Sequence, residues 1–132
     1  MQNSILEELI QLKNSRNKIG LVEFHKRWDR CNLKIKDYIQ NNKIGNPVYS
    51  LVEYSQRISI PTVSFKGWVQ DTNVFQYLGV HYIDIIRFAT GAIPVRVMAT
   101  GQKGWLNEKG MNVYDSIQSM VEWKTPDGHT FN

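Results

Sequence analysis

Hydrophobic side chains recur at three- and four-residue steps between Thr72 and Gly91, and this period predicts an α-helix. Thr72 or Asn73 is the expected capping residue at its start, and Gly91 is the expected end. The apolar positions form one stripe along the helix: Val74, Leu78, Tyr82, Ile85 and Ala89. We expect the rest of the chain to be organised around this helix.

The segments before this helix alternate between helical and extended patterns. Residues 4–16 predict an amphipathic helix, residues 18–24 a short buried strand, and residues 27–42 a second helix. Residues 47–59 predict a long strand, and residues 60–70 predict a loop. A helix that leads directly into a buried strand is typical of the closing half of a βαβ unit. The chain therefore reads as beginning inside such a unit.

The segments after the helix predict antiparallel pairing. Residues 94–102 and 113–124 each show the alternation of a strand with one apolar face. Pro126, Asp127 and Gly128 form a strong turn signal, so residues 129–132 are expected to begin a returning strand. Because both ends are predicted to lie inside larger units, we expect a fragment of a larger protein or a chain that a partner completes.

Composition and charge exclude several classes of protein. The net charge is +4, and the first 43 residues hold nine basic and five acidic side chains, which are scattered among one another. No zinc-finger spacing or RNA-binding aromatic signature accompanies them, which favours a solvated surface over a nucleic-acid interface. The single cysteine, Cys31, excludes an internal disulfide. The N-terminus does not resemble a secretory signal, and no apolar segment approaches the length of a membrane span. We expect a cytoplasmic protein without a metal site, a nucleic-acid partner or a membrane partner.

The one constellation with clear chemical potential lies on the predicted helix. His81 falls at the edge of the apolar stripe, with Tyr77 one turn before it and Asp84 one turn after it. An imidazole can take or give a proton near neutral pH, so His81 is a candidate for acid–base chemistry. The alternative is a structural histidine at the border of the core, and the periodicity alone leaves both interpretations open.

Three stretches together carry a resemblance to a known family. The run GVHYIDIIRFATGAIPVRVMATG, preceded by FHKRWDR and IGNPVYS, resembles the glucose-fructose oxidoreductase, inositol dehydrogenase and rhizopine-catabolism family, abbreviated Gfo/Idh/MocA. Its enzymes join an NAD(P)-binding Rossmann domain to a C-terminal α/β domain that covers the substrate and often forms the oligomer interface. The resemblance implies an α+β fold, with a mostly antiparallel sheet and helices packed on one face. It makes residues 1–24 the last helix and strand of a Rossmann domain, and residues 25–132 part of the C-terminal domain.

The resemblance also implies roles for individual residues. The family pattern G-G-G-x-x-x-D-x-G-x-H-x-x-D matches at Gly79, His81 and Asp84, while Tyr77 stands where relatives have an aspartate. His81 is thereby implied to be catalytic, as the proton acceptor for a substrate hydroxyl. Tyr77 is implied to orient the substrate, with simple packing as the alternative. Asp84 is expected to give structural support to the helix or to His81, with contact to the substrate as the alternative.

The loop before the helix corresponds to the part of the family that shapes the substrate pocket. The residues implied there as substrate-binding are Trp68, Asp71 and Asn73. Packing of Trp68 beneath the loop is the alternative for that residue.

The cofactor-binding features of the family are missing from the sequence. No two glycines are two positions apart, so a G-x-G-x-x-G phosphate turn is absent, and no lysine precedes a proline as in the family's Glu-Lys-Pro segment. We therefore expect NAD or NADP in the full-length protein and no cofactor bound to this chain alone. The expected function is the substrate-binding and oligomerisation part of an oxidoreductase acting on a sugar, polyol or nucleotide-sugar hydroxyl, assembled as a homo-oligomer through its sheet. The alternative is a non-catalytic dimerisation or interaction module derived from the same family.

Overall fold

The computed structural model describes residues 2–132 and contains helices packed against an antiparallel sheet. The α-helices are α1 (Gln2–Ser15), α2 (Arg30–Gln40), α3 (Val80–Thr90) and α4 (Trp105–Glu108), and the strands are β1 (Ile93–Gln102), β2 (Ser116–Lys124) and β3 (Thr130–Phe131). Short 3₁₀ turns occupy His25–Trp28 and Val69–Asp71, and π-helical turns occupy Ile60–Ser64 and Phe75–Gly79. The prediction of an α+β fold is confirmed.

The sheet has three strands in the order β1-β2-β3, and both neighbouring pairs are antiparallel. Val97 lies opposite Val121 and Met98 opposite Met120, so these two pairs occupy opposite faces of the sheet. The returning strand predicted from the Pro126–Gly128 turn is present as β3. The two longer strands are confirmed as well, although β2 begins at Ser116 and not at residue 113.

The main core lies where the sheet meets α3. Trp123, Ala92 and Phe131 are almost completely buried, and Ile83 and Ile86 from α3 pack against them. A second, smaller cluster joins the loop before α3 to the segment between β1 and β2, through Val69, Leu106 and Val113. Most of the buried hydrophobic side chains belong to these two clusters, so the core of the described residues is small.

The predicted helix between Thr72 and Gly91 is confirmed, with one irregularity at its start. The Asn73 Oδ1 accepts hydrogen bonds from the backbone N–H groups of Phe75 and Gln76, which caps the helix. The chain then makes the π-helical turn Phe75–Gly79 before α3, and we call the two together the central helix. A Cβ at Gly79 would lie 2.9 Å from the Phe75 ring, so this turn requires glycine. Gly91 ends the helix with a φ of +73°.

Two predicted strands are wrong. Residues 18–24 form no helix or strand, and Ile19 and Leu21 are 95% and 85% exposed. Residues 47–57 form no helix or strand either, and two backbone hydrogen bonds involve them in the described chain: Ser50 N donates to Asn132 O at 2.6 Å, and Arg57 O accepts from Ile60 N at 3.0 Å. A strand needs a neighbouring strand that satisfies its N–H and C=O groups. Among residues 2–132, no strand pairs along the length of either segment.

Two further boundaries differ from the prediction. The helix predicted over residues 27–42 is divided at Asp29, whose Oδ1 accepts a hydrogen bond from Cys31 N at 2.9 Å and so caps α2. The loop predicted over residues 60–70 contains two short helical turns. No helix in the described part of the chain is both long enough and apolar enough to cross a membrane.

Candidate functional site

One side of the central helix carries Tyr77, His81, Asp84 and Phe88, at steps of four, three and four residues. We call this side the histidine face. Its side chains contact residues 24–28, Gln56 and the loop at residues 65–68, which come from far away in the sequence. The opposite side of the same helix packs on the sheet through Ile83 and Ile86.

Asp84 is held in a two-pronged ion pair with Arg27. The Arg27 Nε and Nη2 donate to the two carboxylate oxygens at 2.7 and 2.5 Å, and Asp84 is only 9% exposed. The hydrogen bond to Asp84 raises the pKa of Arg27 above its ordinary value. The guanidinium also lies over the rings of Phe24 and Phe88, at 4.8 and 5.4 Å from their centroids. The pair therefore ties residues 24–28 to the central helix, while the supporting role of Asp84 toward His81 stays a prediction.

His81 is half-buried between rings from the segment before α2. Its centroid lies 4.8 Å from that of His25 and 6.1 Å from that of Phe24. Its Nδ1 is buried and has no hydrogen-bond partner among the described residues. The imidazole is thus placed by ring contacts, and Asp84, one turn away, is occupied by Arg27.

Tyr77 belongs to an aromatic cluster one turn before His81. Its ring contacts Phe65 edge-on at 4.5 Å and Trp68 at 6.4 Å, and Phe65 and Trp68 lie 4.2 Å apart. Gln56 Nε2 donates a long hydrogen bond of 3.5 Å to the phenol oxygen, and Trp68 is 43% exposed. Partly open aromatic rings with a few polar groups beside them are typical of small-molecule sites.

The other two predicted site residues lie at the start of the helix. Asp71 is exposed at the end of the Val69–Asp71 turn. The Asn73 amide is used for capping, and its Nδ2 donates to Gln76 Oε1 at 3.0 Å. Within residues 2–132 neither side chain hydrogen-bonds to Tyr77 or His81. The structure thus brings Trp68 against Tyr77, while substrate binding by Asp71 and Asn73 stays a prediction.

Two clefts lie on the opposite side of the central helix, away from the predicted site. One, of about 660 Å³, separates residues 49–55 from β2, and the other, of about 600 Å³, separates residues 44–53 from α2. His81, Tyr77 and Trp68 line neither of them. Tyr82 borders both, and burial raises the pKa of its phenol, with a smaller contribution from Tyr54. Sequence reasoning missed these clefts because it treated the apolar stripe as core.

Sequence reasoning also missed His25, Gln56 and Phe65 as neighbours of the predicted site. They lie between 12 and 56 positions before the side chains they contact, and no local period connects them. The FHKRWDR stretch was the available signal, since it holds Phe24, His25 and Arg27 together.

The starts of α2 and of the central helix do not fit the pyrophosphate of a dinucleotide. A pyrophosphate would need free N–H groups at a helix start that follows a glycine-rich turn. Here the start of α2 is capped by Asp29 and the start of the central helix by Asn73. In the described part of the chain, no three His, Cys, Asp or Glu side chains are grouped so that they could hold a metal ion.

The fold is shared with solved dehydrogenase structures. Myo-inositol 2-dehydrogenase from Lactobacillus plantarum is 22% identical with a TM-score of 0.74, over 98% of this chain and 38% of that one. A putative myo-inositol dehydrogenase from Sinorhizobium meliloti 1021 is 19% identical with a TM-score of 0.62, over 95% and 37%. A probable dehydrogenase from Thermotoga maritima is 20% identical with a TM-score of 0.61, over 95% and 36%. This chain therefore spans less than two fifths of each of these proteins.

Sequence comparison identifies the family. No curated protein sequence matches the chain significantly. Residues 32–128, however, match the family description of the GFO/IDH/MocA C-terminal domain. This match covers most of the chain, and the solved structures share its fold. The chain belongs to the GFO/IDH/MocA family and carries its C-terminal domain.

Proposed function

We propose that this chain is the substrate-binding part of an NAD(P)-dependent oxidoreductase that acts on a sugar or polyol hydroxyl. The observation that carries the proposal is a half-buried imidazole, His81, next to the partly open aromatic cluster of Tyr77, Phe65 and Trp68. The dinucleotide would be held by residues outside this chain. In this proposal residues 1–24 end a Rossmann domain and residues 25–132 form part of the C-terminal domain. The single cysteine is in keeping with a cytoplasmic location.

His81 is the catalytic residue of the proposed site. Its imidazole accepts the proton of the substrate hydroxyl, because neutral imidazole is a suitable base near neutral pH. The Tyr77 phenol orients the substrate, and the open face of Trp68 packs against its C–H groups. Asp71 and Asn73 contribute polar groups at the rim, and Asp84 supports the helix through Arg27.

Binding of a polyol tests this function directly, because the chain itself holds no dinucleotide turn. Myo-inositol titrated into the isotope-labelled chain is expected to shift the NMR signals of Tyr77, Trp68 and His81. In His81→Asn the dissociation constant is expected to rise about tenfold, equivalent to about 1.4 kcal/mol, because one hydrogen bond to a substrate hydroxyl is lost.

His129→Asn is the matched control, since the His129 ring is bonded to Pro47 O at 2.8 Å and lies outside the proposed site. Its affinity for myo-inositol should equal that of the unaltered chain. If His81→Asn and His129→Asn bind myo-inositol with equal affinity, His81 is a structural histidine and not part of the binding site. An absence of shifts with myo-inositol and with other polyols and sugars would contradict the function.

The outer face of the sheet is the proposed homo-oligomer interface. Met98 and Met120 lie opposite each other on the face away from α3, and they are 66% and 62% exposed. A second copy of the chain would cover this apolar pair, whereas water covers it in a monomer.

Met98→Lys is expected to shift the chain toward monomer, because a lysine on each copy would place like charges in the interface. Sedimentation velocity measures the change. Val63→Lys, at a position 72% exposed outside the sheet, is the control and should leave association unchanged. If the unaltered chain sediments as a monomer, the proposed interface is wrong. The alternative function, a non-catalytic dimerisation module, predicts the dimer without any polyol binding.

A further inference from the structure

The orientation of the His81 ring needs an explanation. Histidines that bind or transfer protons are commonly oriented by a hydrogen bond at their second ring nitrogen. Here Nδ1 of His81 is buried without such a partner among the described residues. Asp84, the carboxylate one turn along the helix, uses both oxygens for Arg27. Among the described residues, the contacts that position the ring are therefore those with neighbouring aromatic rings.

His25 is the side chain in closest ring contact with His81. The two centroids are 4.8 Å apart and the ring planes meet at 60°, which is within the range of edge-to-face contacts. Phe24 contacts the same imidazole at 6.1 Å. The segment that carries both rings is fixed to the central helix, since Arg27 bonds to Asp84 and its guanidinium lies 4.8 Å from the centre of the Phe24 ring.

We propose that His25 is a positioning residue, which fixes the plane of the His81 imidazole by ring packing. The significance of this contact for chemistry rests on the function proposed for His81. Because His25 is exposed, it can be replaced without opening the core. Because the contact is between ring surfaces, the shape of residue 25 matters and its nitrogens do not.

Ring dynamics measured by NMR test the proposal in the chain as it is. In the unaltered chain the Cε1–H bond of His81 is expected to have an order parameter close to that of rigid backbone sites, about 0.85. In His25→Ala it should fall below about 0.6, the flexible range. His25→Phe should restore rigidity, since a phenyl ring refills the same contact. The His129 ring, held by Pro47 O, serves as the internal reference in every sample.

Lys26→Ala is the neighbouring control, because Lys26 lies over the Tyr82 ring and should not affect His81. An unchanged order parameter in His25→Ala, with the His129 signals native, would overturn the proposal. Failure of His25→Phe to restore rigidity would overturn it too, and this variant keeps the proposal testable if the alanine variant does not fold. A rigid His81 in a chain that binds no polyol would overturn only the proposed function. If the chain binds a polyol but the order parameter of the His81 ring is the same in all residue 25 variants, only the positioning role of His25 is overturned.

Discussion

Replacing Trp123 with alanine is expected to lower the free energy of unfolding by about 3–5 kcal/mol, the cost usual for a fully buried aromatic residue. Trp123 is 1% exposed and joins Ala92 and Phe131 in the main core. Ile83 and Ile86 from α3 pack on the same cluster, so the indole connects the sheet to the central helix. The side chains around a deleted aromatic ring relax only partly, so the cavity that remains adds to the loss.

Urea unfolding followed by far-UV circular dichroism measures this loss, because the substitution itself would change the fluorescence signal. Trp28→Ala is the matched control, since Trp28 is 70% exposed and its ring centre lies 6.2 Å from that of Phe88. Its effect should stay below about 1 kcal/mol. Similar losses in the two variants would show that the core around Trp123 does not hold the sheet to α3.

Asp84→Ala is expected to lower the free energy of unfolding by about 2–3 kcal/mol, because two charge-assisted hydrogen bonds are lost. Asp84 is 9% exposed, whereas the side chain of Arg27 is 35% exposed. Arg27 can therefore regain some hydration when its partner is removed, which keeps the loss below that of a fully buried pair.

The same urea experiment measures this substitution, and Glu122→Ala is its control. Glu122 accepts a hydrogen bond from Arg96 Nε at 2.8 Å in an exposed pair, for which a loss below about 1 kcal/mol is expected. In Asp84→Ala, residues 24–28 should also exchange their amide hydrogens faster, since the ion pair ties them to the helix. Equal losses in the two variants would mean that Arg27 and Asp84 act as an ordinary surface pair.

Local patterns predicted the elements whose partners are near in sequence. The central helix has its cap at Asn73 and its stop at Gly91, and the hairpin of β2 and β3 follows from the turn at Pro126–Gly128. The patterns failed for residues 18–24, which form a short apolar run, and for residues 47–57, where apolar and polar positions alternate, because no neighbouring strand pairs along either segment in the described chain. A segment becomes a strand only when another strand hydrogen-bonds to its N–H and C=O groups. The pattern of the segment alone does not show whether such a partner exists.

The candidate site divides in the same way. The sequence by itself determined that Tyr77, His81 and Asp84 share one side of a helix, because the helical period is a local property. Only the tertiary structure decided what they face: Arg27 bonds to Asp84 across 57 positions, and Phe65 reaches Tyr77 from a separate turn. It also placed His25 against His81, while Nδ1 of His81 stays without a partner among the described residues. Such contacts depend on how distant segments pack, and packing is a property of the whole folded chain that no local period encodes.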